Sequence, residues 1–257
     1  MPIKSSPTNA AEKTCRVLCA LSDPRIRRMS DIAAATQISK VSVLRVLETL
    51  VAEGLVQRDQ TSKEYSYGPE AYIMASALSA RHDLRAAARP SLSRLAELTG
   101  DTVCLVVKAG MECVCLEREM GAFPIHASTL FVGSRRPPGV GSGPLAIFSW
   151  LDPAEREATL QHVKGRLKRY GGPTESRLRE AAAETRERGY ALVLGEVQTE
   201  IGAIAMILPD EQGRPLAAVT ISSLKQRIRE REQWLAQILS REMVIIRRTL
   251  ESPAAAR

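Results

Sequence analysis

No apolar segment of the sequence approaches the roughly 18 residues that a membrane-spanning helix needs. Its opening stretch, MPIKSSPTNAAEK, lacks the apolar core of a signal peptide. Cysteine is scarce, with five in 257 residues, and an odd number without an export signal argues against a disulfide framework. We therefore expect a cytoplasmic protein with reduced thiols and no membrane partner.

Histidine is scarcer still, with three in the chain. They are scattered: His82, His126 and His162. Cys113 and Cys115 alternate onto one face of a predicted strand and Cys104 could lie across the hairpin, which leaves a metal or redox role open. Burial as small apolar side chains fits them better, because no histidine joins them at ligand spacing. Cys15 and Cys19, on the first predicted helix, are expected in the core. We predict no metal and no cofactor.

The chain does carry an excess of positive charge, +7 from 36 basic and 29 acidic residues. Ten basic and seven acidic residues precede Tyr67, so about +3 of the excess lies in the first quarter. This balance favours a polyanionic partner such as nucleic acid. An apolar content of 44% over this length predicts a globular protein of one large domain or two smaller ones.

Residues 38–59, ISKVSVLRVLETLVAEGLVQRD, change their period at a glycine. Before it, apolar residues recur at the spacing of one buried helix stripe: Val43, Val46, Leu47 and Leu50. Ser39 is the predicted N-cap and Gly54 the predicted stop. After the glycine, two short alternating segments predict a hairpin with a polar tip. Further helices are predicted at 11–21 and at 30–37, the latter capped by Ser30.

This order of helices followed by a hairpin is that of a winged helix-turn-helix, in which the second helix of the pair enters the major groove of DNA and the wing touches its backbone. A solvated helix face is the plain alternative for the basic residues. The order of four elements within about 60 residues favours DNA binding. The residues predicted to contact DNA are Lys40, Ser42, Arg45, Thr49, Arg58, Lys63 and Tyr65.

The chain resembles the IclR-type bacterial transcriptional regulators over nearly its whole length. The resemblance is carried by ISKVSVLRVL from residue 38, LRAAARPSLSRLAELTGDTV from residue 84, VGSRRP from 132, RGY from 188 and AAVTIS from 217. Lys40, Ser42 and Arg45 match the family's recognition helix. Val41 and Leu44 replace a hydroxyl and an imidazole, so the family's base preference cannot be carried over. The resemblance implies a winged domain over 1–68, a linker helix over 69–83 and a GAF-like effector domain over 84–257.

Read from its residues alone, the second domain alternates predicted strands and helices. Strands are expected at 102–108, 112–118, 124–129, 201–208 and 216–221. Helices are expected at 84–98 with an interruption at Pro90, and at 144–151, 153–169, 174–188 and 225–250. Together they predict an α+β fold built on an antiparallel sheet.

The glycine-rich segment 139–143, GVGSG, lacks the lysine of a phosphate-binding P-loop and the register of a serine-hydrolase elbow. Its backbone N–H groups nevertheless suit an anion at a helix start. The family resemblance implies that it lines the effector pocket, which gives these residues: Ser142, Gly143, Thr220 and Ser222. Val193 and Leu194 stand where related pockets have acids, and Ala203 where some have cysteine. A bulkier or aromatic carboxylate is therefore expected.

The leading hypothesis is a homodimer or homotetramer, paired through residues 71–80, that reads a pseudo-palindromic operator and responds to a small carboxylate. An enzyme on a GAF-like scaffold is the alternative from another class, and it needs a nucleophile with a base or a metal cluster. A nucleic-acid coating protein is a third, and it predicts weak sequence preference with strong salt dependence.

Overall fold

Residues 9–82, 84–125, 130–167, 170–171 and 173–251 are described by the computed structural model. They fall into two units, 9–82 and 84–251. None of the helices in these ranges is both long and apolar enough to cross a membrane.

The first unit has three helices, a hairpin and a fourth helix. Its elements are α1 (Ala10–Ala20), α2 (Met29–Thr36), α3 (Lys40–Ala52), β1 (Val56–Arg58), β2 (Tyr65–Tyr67) and α4 (Pro69–His82). The three helices and the hairpin enclose a small apolar core of Val17, Ile32, Val43, Leu47, Leu50 and Val56. The two strands pair antiparallel, with Val56 opposite Tyr67. The predicted winged helix-turn-helix is confirmed.

Two local predictions in this unit are wrong. Ser30 does not cap α2, because the helix begins at Met29 with Arg28 at its N-cap, and the Ser30 hydroxyl donates instead to Asp31 Oδ1 at 3.1 Å. Cys15 and Cys19 are exposed. The buried stripe of α1 runs through Val17, Ala20 and the following Leu21, a spacing of i, i+3 and i+4 that leaves both cysteines off the core face.

The second unit is an antiparallel sheet between two layers of helices. Its elements are α5 (Leu84–Thr99), β3 (Thr102–Ala109), β4 (Glu112–Met120), β5 (Arg135–Arg136), α6 (Ser142–Trp150), α7 (Pro153–Leu167), α8 (Glu175–Arg188), β6 (Ala191–Leu194), β7 (Ile201–Pro209), β8 (Pro215–Leu224), α9 (Lys225–Glu230) and α10 (Glu232–Glu251). The described strands lie in the order β5-β4-β3-β8-β7-β6. This confirms the α+β class, while the GAF-like assignment stays a prediction.

Alternation along the strands sends neighbouring side chains to opposite faces. On β3, Val103 and Leu105 pack with α5 and α10, whereas Cys104 and Val106 pack with α6, α7 and α8. The core therefore has two halves, one on each side of the sheet. Thr220 of β8 points to the same side as α6, with which it bonds, and this sets the position of the site described below.

The predicted single helix over 225–250 is two helices in the structure. The break falls at Arg231, whose guanidinium is drawn to the fully buried carboxylate of Asp101 and to the carbonyl of Thr99 at 3.1 Å. Arg227 binds the same two residues, with Nε 2.9 Å from Asp101 Oδ1. Since a buried carboxylate needs its partners, these long-range ion pairs account for a turn that no local pattern signals.

Three further expectations need correction. Helix α5 runs through Pro90 without interruption, because Leu92 and Leu95 are fully buried against the sheet and hold the segment helical. Helix α6 starts at Ser142, two residues earlier than predicted. The strand expected over 124–129 begins in a bend at 124–125, and 126–129 lie outside the described residues.

Candidate functional site

Helix α3 presents one face to the core and the opposite face to solvent. Its N-cap is Ser39, whose Oγ accepts a hydrogen bond from the backbone N–H of Ser42 at 3.3 Å. The buried residues are Val43, Leu47 and Leu50, as the spacing predicts. The exposed residues on the outer face of the first three turns are Lys40, Val41, Leu44, Arg45 and Glu48. This outer face is where the helix can meet a large ligand.

The structure separates the predicted DNA contacts of α3 into two groups. Lys40 and Arg45 are exposed on the outer face. Ser42 lies on the flank, half-buried, with its hydroxyl accepting from Ser39 Oγ at 3.1 Å. Thr49 is exposed, but its hydroxyl donates to the Arg45 carbonyl at 3.0 Å. The two cations are therefore the better placed of the four.

The wing carries two of the remaining predicted contacts at its surface. Arg58 ends β1 and Lys63 lies in the tip, both exposed, and Lys63 adopts a left-handed φ of 60°. Tyr65 differs, because it is only 4% exposed and belongs to the core. Arg58 stacks over its ring at 5.6 Å. Tyr65 thus offers DNA little surface, in contrast to the prediction that it contacts DNA.

The second predicted site lies where the glycine-rich segment enters α6. Gly141 occupies the N-cap with φ 91° and ψ 165°, a conformation essentially restricted to glycine. No described side chain caps this helix. The N–H groups of Ser142 and Gly143 have no partner inside the helix, so the start of α6 is suited to an electron-rich group.

All four predicted effector residues line one cleft at this point. Ser142 Oγ and Thr220 Oγ1 are hydrogen-bonded at 2.7 Å, and both side chains are buried. Gly143 packs so close to β3 that an added Cβ would lie 3.1 Å from Val106 Cγ2. Ser222 Oγ approaches the Thr102 carbonyl at 3.5 Å. The sheet and the helix start therefore contribute hydroxyls to the same space.

Sequence reasoning missed Arg136, which also lines the cleft. Burial lowers the pKa of Arg136, and its guanidinium lies 5.9 Å from the ring centroid of Tyr170. An arginine side chain nevertheless stays charged in a protein. The neighbouring Arg135 is directed elsewhere and binds Glu112 at 3.4 Å. The segment VGSRRP did mark the region, but only strand β5 decides which arginine reaches the cleft.

The rest of the cleft wall is mainly apolar. The cleft holds about 490 Å³, part of it open to solvent. Its apolar lining includes Leu130, Val140, Val193, Val197, Ile201 and Ala203. No histidine, aspartate or glutamate is among the described residues that line it. Hydroxyls and backbone N–H groups beside apolar side chains are suited to binding a small ligand.

The three sheet cysteines are buried on the α6 side of the sheet. Burial raises the pKa of Cys113 to about 12. A hydrogen bond with Cys115, together with burial, raises the pKa of Cys104. Burial and a raised pKa both disfavour the reactive thiolate form of these two cysteines. The same hydrogen bond lowers the pKa of Cys115. Within the described residues, no group of three or more histidine, cysteine or acidic side chains is arranged to hold a metal ion.

Two domain models of one family match the chain, in the order of the two units. Residues 10–60 match the IclR helix-turn-helix domain, and residues 76–244 match the bacterial transcriptional regulator IclR C-terminal domain. The chain belongs to the IclR family of bacterial transcriptional regulators. Family members are regulators of transcription and not enzymes, so the enzyme alternative is set aside.

Known IclR-family proteins resemble the chain over most of its length. The HTH-type transcriptional regulator XynR of Escherichia coli is 27% identical over 208 residues, which cover 80% of this chain and 81% of XynR. BhcR of Paracoccus denitrificans is 29% identical over 203 residues, 76% of this chain and 70% of BhcR. An IclR homologue from Microbacterium hydrocarbonoxydans, solved with 4-hydroxybenzoate, has a TM-score of 0.77 at 23% identity and covers 95% of this chain and 99% of its own. That last likeness shows the fold alone.

Proposed function

We propose that this IclR-family regulator controls its operator affinity by binding a carboxylate, bulky or aromatic, in the cleft of the second unit. One observation carries the proposal: the Arg136 guanidinium, the Ser142 and Thr220 hydroxyls and the open start of α6 line the same mainly apolar cleft.

The polar end of the cleft matches a carboxylate group. A guanidinium supplies a fixed positive charge and directional donors, and the helix start adds N–H groups and a favourable dipole. The hydroxyls of Ser142 and Thr220 can rotate to donate to a ligand oxygen. These groups together favour an anion over a neutral ligand of the same shape.

The apolar end of the cleft favours a hydrophobic body behind that carboxylate. Val193 and Ala203 both line this part of the cleft, and both side chains are apolar. Burying apolar ligand surface there contributes about 25 cal/mol per Å². The Microbacterium relative solved with 4-hydroxybenzoate supports the aromatic class, since that ligand has both parts.

DNA binding is assigned to the first unit. Lys40 and Arg45 on α3, with Arg58 and Lys63 on the wing, form a basic surface of the kind that contacts phosphates and base edges. One such module covers few base pairs, so a symmetric homo-oligomer is the usual solution. Tyr72, Ile73 and Met74 of α4 are exposed and apolar and support the predicted pairing through this helix.

Titration calorimetry tests the effector half of the proposal. A panel of aromatic and aliphatic carboxylates, 4-hydroxybenzoate among them, is titrated beside the matched uncharged amides. At least one carboxylate should bind, and its amide should bind at least about tenfold weaker, because a hydrogen bond to a charged group contributes about 1.5–3 kcal/mol. Arg136→Ala should remove this preference and also the ligand's effect on operator binding.

Arg135→Ala is the matched control, since that arginine binds Glu112, which Arg166 also binds at 2.6 Å. It should leave carboxylate binding within a factor of about two. Equal binding of acid and amide, or an Arg136→Ala protein that still prefers the acid, contradicts the assignment of this cleft. Operator binding measured without any ligand tests the regulator function separately.

A further inference from the structure

We infer that α3 reads thymine methyl groups in the major groove through two apolar side chains, Val41 and Leu44. The inference deepens the DNA-binding function and rests on it. Val41 is 65% exposed and Leu44 38% exposed in a unit whose other large apolar side chains on α3 mostly face the core. Both side chains are therefore available to a ligand that meets the exposed side of the helix.

Helix geometry puts Val41 and Leu44 next to each other on the exposed side of α3. Residues three apart on a helix are neighbours on one face. At about 100° per residue, Val41 lies on the far side of α3 from the buried stripe of Val43, Leu47 and Leu50. Leu44 lies on the flank between that stripe and Val41, in agreement with its smaller exposure. Both residues also lie in the first turns of α3, the part of a recognition helix that contacts base edges.

The chemistry of the surrounding side chains identifies the partner as DNA. Lys40 and Arg45 are exposed immediately beside the two apolar residues. Two cations around an apolar pair suit a surface that is anionic at its edges and has isolated apolar groups between them. A major groove has this pattern, with phosphates along its rims and the thymine C5-methyl as the apolar group on the base edges.

Val41 and Leu44 also restrict the set of bases that α3 can recognise. Valine and leucine side chains have no donor or acceptor, so they cannot bond the polar edges of guanine, adenine or cytosine. They gain only from burying a methyl group and lose when they desolvate a polar edge. Half-sites for this protein should therefore carry thymine opposite the first turns of α3.

Selection from random double-stranded DNA with the full-length protein gives the half-site and tests its composition. The wild-type protein should enrich one or two thymine positions in each half-site. Val41→Ser should lose the enrichment at one of them while keeping the rest of the site. Val51→Ser is the matched control, because Val51 is also exposed on α3 but lies about 15 Å further along the helix.

Replacing thymine by deoxyuracil at the enriched positions removes only the methyl groups. Wild-type affinity should fall about fourfold for each methyl group removed, the effect of losing the burial of one methyl. For Val41→Ser the same replacement at its position should change affinity less than twofold. For Val51→Ser the loss should match that of the wild-type protein.

The outcomes separate this inference from the function beneath it. Specific binding without thymine enrichment, or no affinity loss with deoxyuracil in the wild-type protein, overturns methyl readout and leaves the regulator function in place. Absence of any sequence preference in the wild-type selection overturns both. The deoxyuracil comparison uses unaltered protein, so a misfolded variant cannot imitate either result.

Discussion

Helices α3 and α6 both begin at surfaces assigned to ligands, but they begin in different ways. Ser39 caps α3 with its own hydroxyl, whereas Gly141 opens α6 and no described side chain caps it. In a capped helix, a side chain of the protein already accepts a hydrogen bond from a backbone N–H of the first turn. Helix α3 therefore offers a ligand mainly its side chains. An uncapped one leaves backbone donors for a ligand, so α6 presents its backbone to the cleft.

The same contrast extends to the surroundings of each helix. The outer side chains of α3 are exposed, where a polymer can be contacted from outside. The start of α6 is enclosed, with Ser142 and Thr220 buried and Arg136 partly buried. A large rigid ligand requires an exposed surface such as the outer face of α3. A small ligand that must be separated from water requires an enclosed site such as the start of α6.

The largest effect is expected in the segment that leads into α6. Gly139 has φ 89°, and an added Cβ would lie 2.6 Å from Leu178 Cδ1, whose side chain is fully buried. Gly139→Ala should lower the free energy of unfolding by about 3 kcal/mol, the sum of backbone strain and overpacking. Thermal or urea denaturation measures this.

Gly141→Ala is the partner experiment, because it adds the same methyl with φ 91° and nothing within 4 Å. It should cost only the strain, about 1–3 kcal/mol, and less than Gly139→Ala. Equal losses would show that packing against Leu178 contributes nothing at Gly139. An unchanged Gly141→Ala protein would contradict the glycine-specific entry to α6 and with it the contrast to α3.

A smaller effect is expected at the start of α3. Ser39→Ala removes the cap and should lower the free energy of unfolding by about 1 kcal/mol. Operator affinity should fall as well, because the first turn that carries Lys40 and Val41 frays. Ser39→Asp retains the cap and should restore stability. A stable, fully active Ser39→Ala protein would mean that the cap does not hold the DNA-reading face.

The smallest effect is a pH dependence at the wing tip. Hydrogen bonds from Ser62 and from the Thr61 backbone lower the pKa of Asp59. A carboxyl whose folded pKa is lowered stabilises the fold above its unfolded pKa, and this contribution is lost as pH falls through the folded value. The tip should therefore loosen only below about pH 4.

An NMR titration measures the pKa of the Asp59 carboxyl directly, and the Asp59→Asn variant assigns its signal. In the native protein the carboxyl should titrate below the usual range for aspartate, and the amide signals of Thr61 and Ser62 should shift with it. A normal titration would remove Asp59 as the group that orders the tip.

Local sequence patterns predicted most of the first unit, and the family resemblance predicted the four cleft residues. The buried stripe of Val43, Leu47 and Leu50 follows from the helical period of the sequence. Gly54 follows the end of this helix with φ 70°, a left-handed conformation that glycine adopts without strain. The resemblance supplied Ser142 and Thr220, which the structure brings within 2.7 Å. Their roles in binding remain predictions.

The remaining features depend on contacts that sequence spacing does not encode. Arg135 and Arg136 are identical in type and adjacent, and only strand pairing sends one to Glu112 and the other to the cleft. Tyr65 lies on a strand of the wing and was predicted to contact DNA, but its side chain is buried in the core. In each case a partner distant along the chain decides the direction of the side chain.

The sequence by itself determined the order of helices, the hairpin after α3, the basic balance and the family, because these follow from period, composition and motif. The tertiary structure decided the break at Arg231, set by the buried Asp101, and the presence of Arg136 in the cleft that the start of α6 lines. The physical reason is the same for both. Burial of a charged side chain depends on where distant segments meet, and no local pattern carries that information.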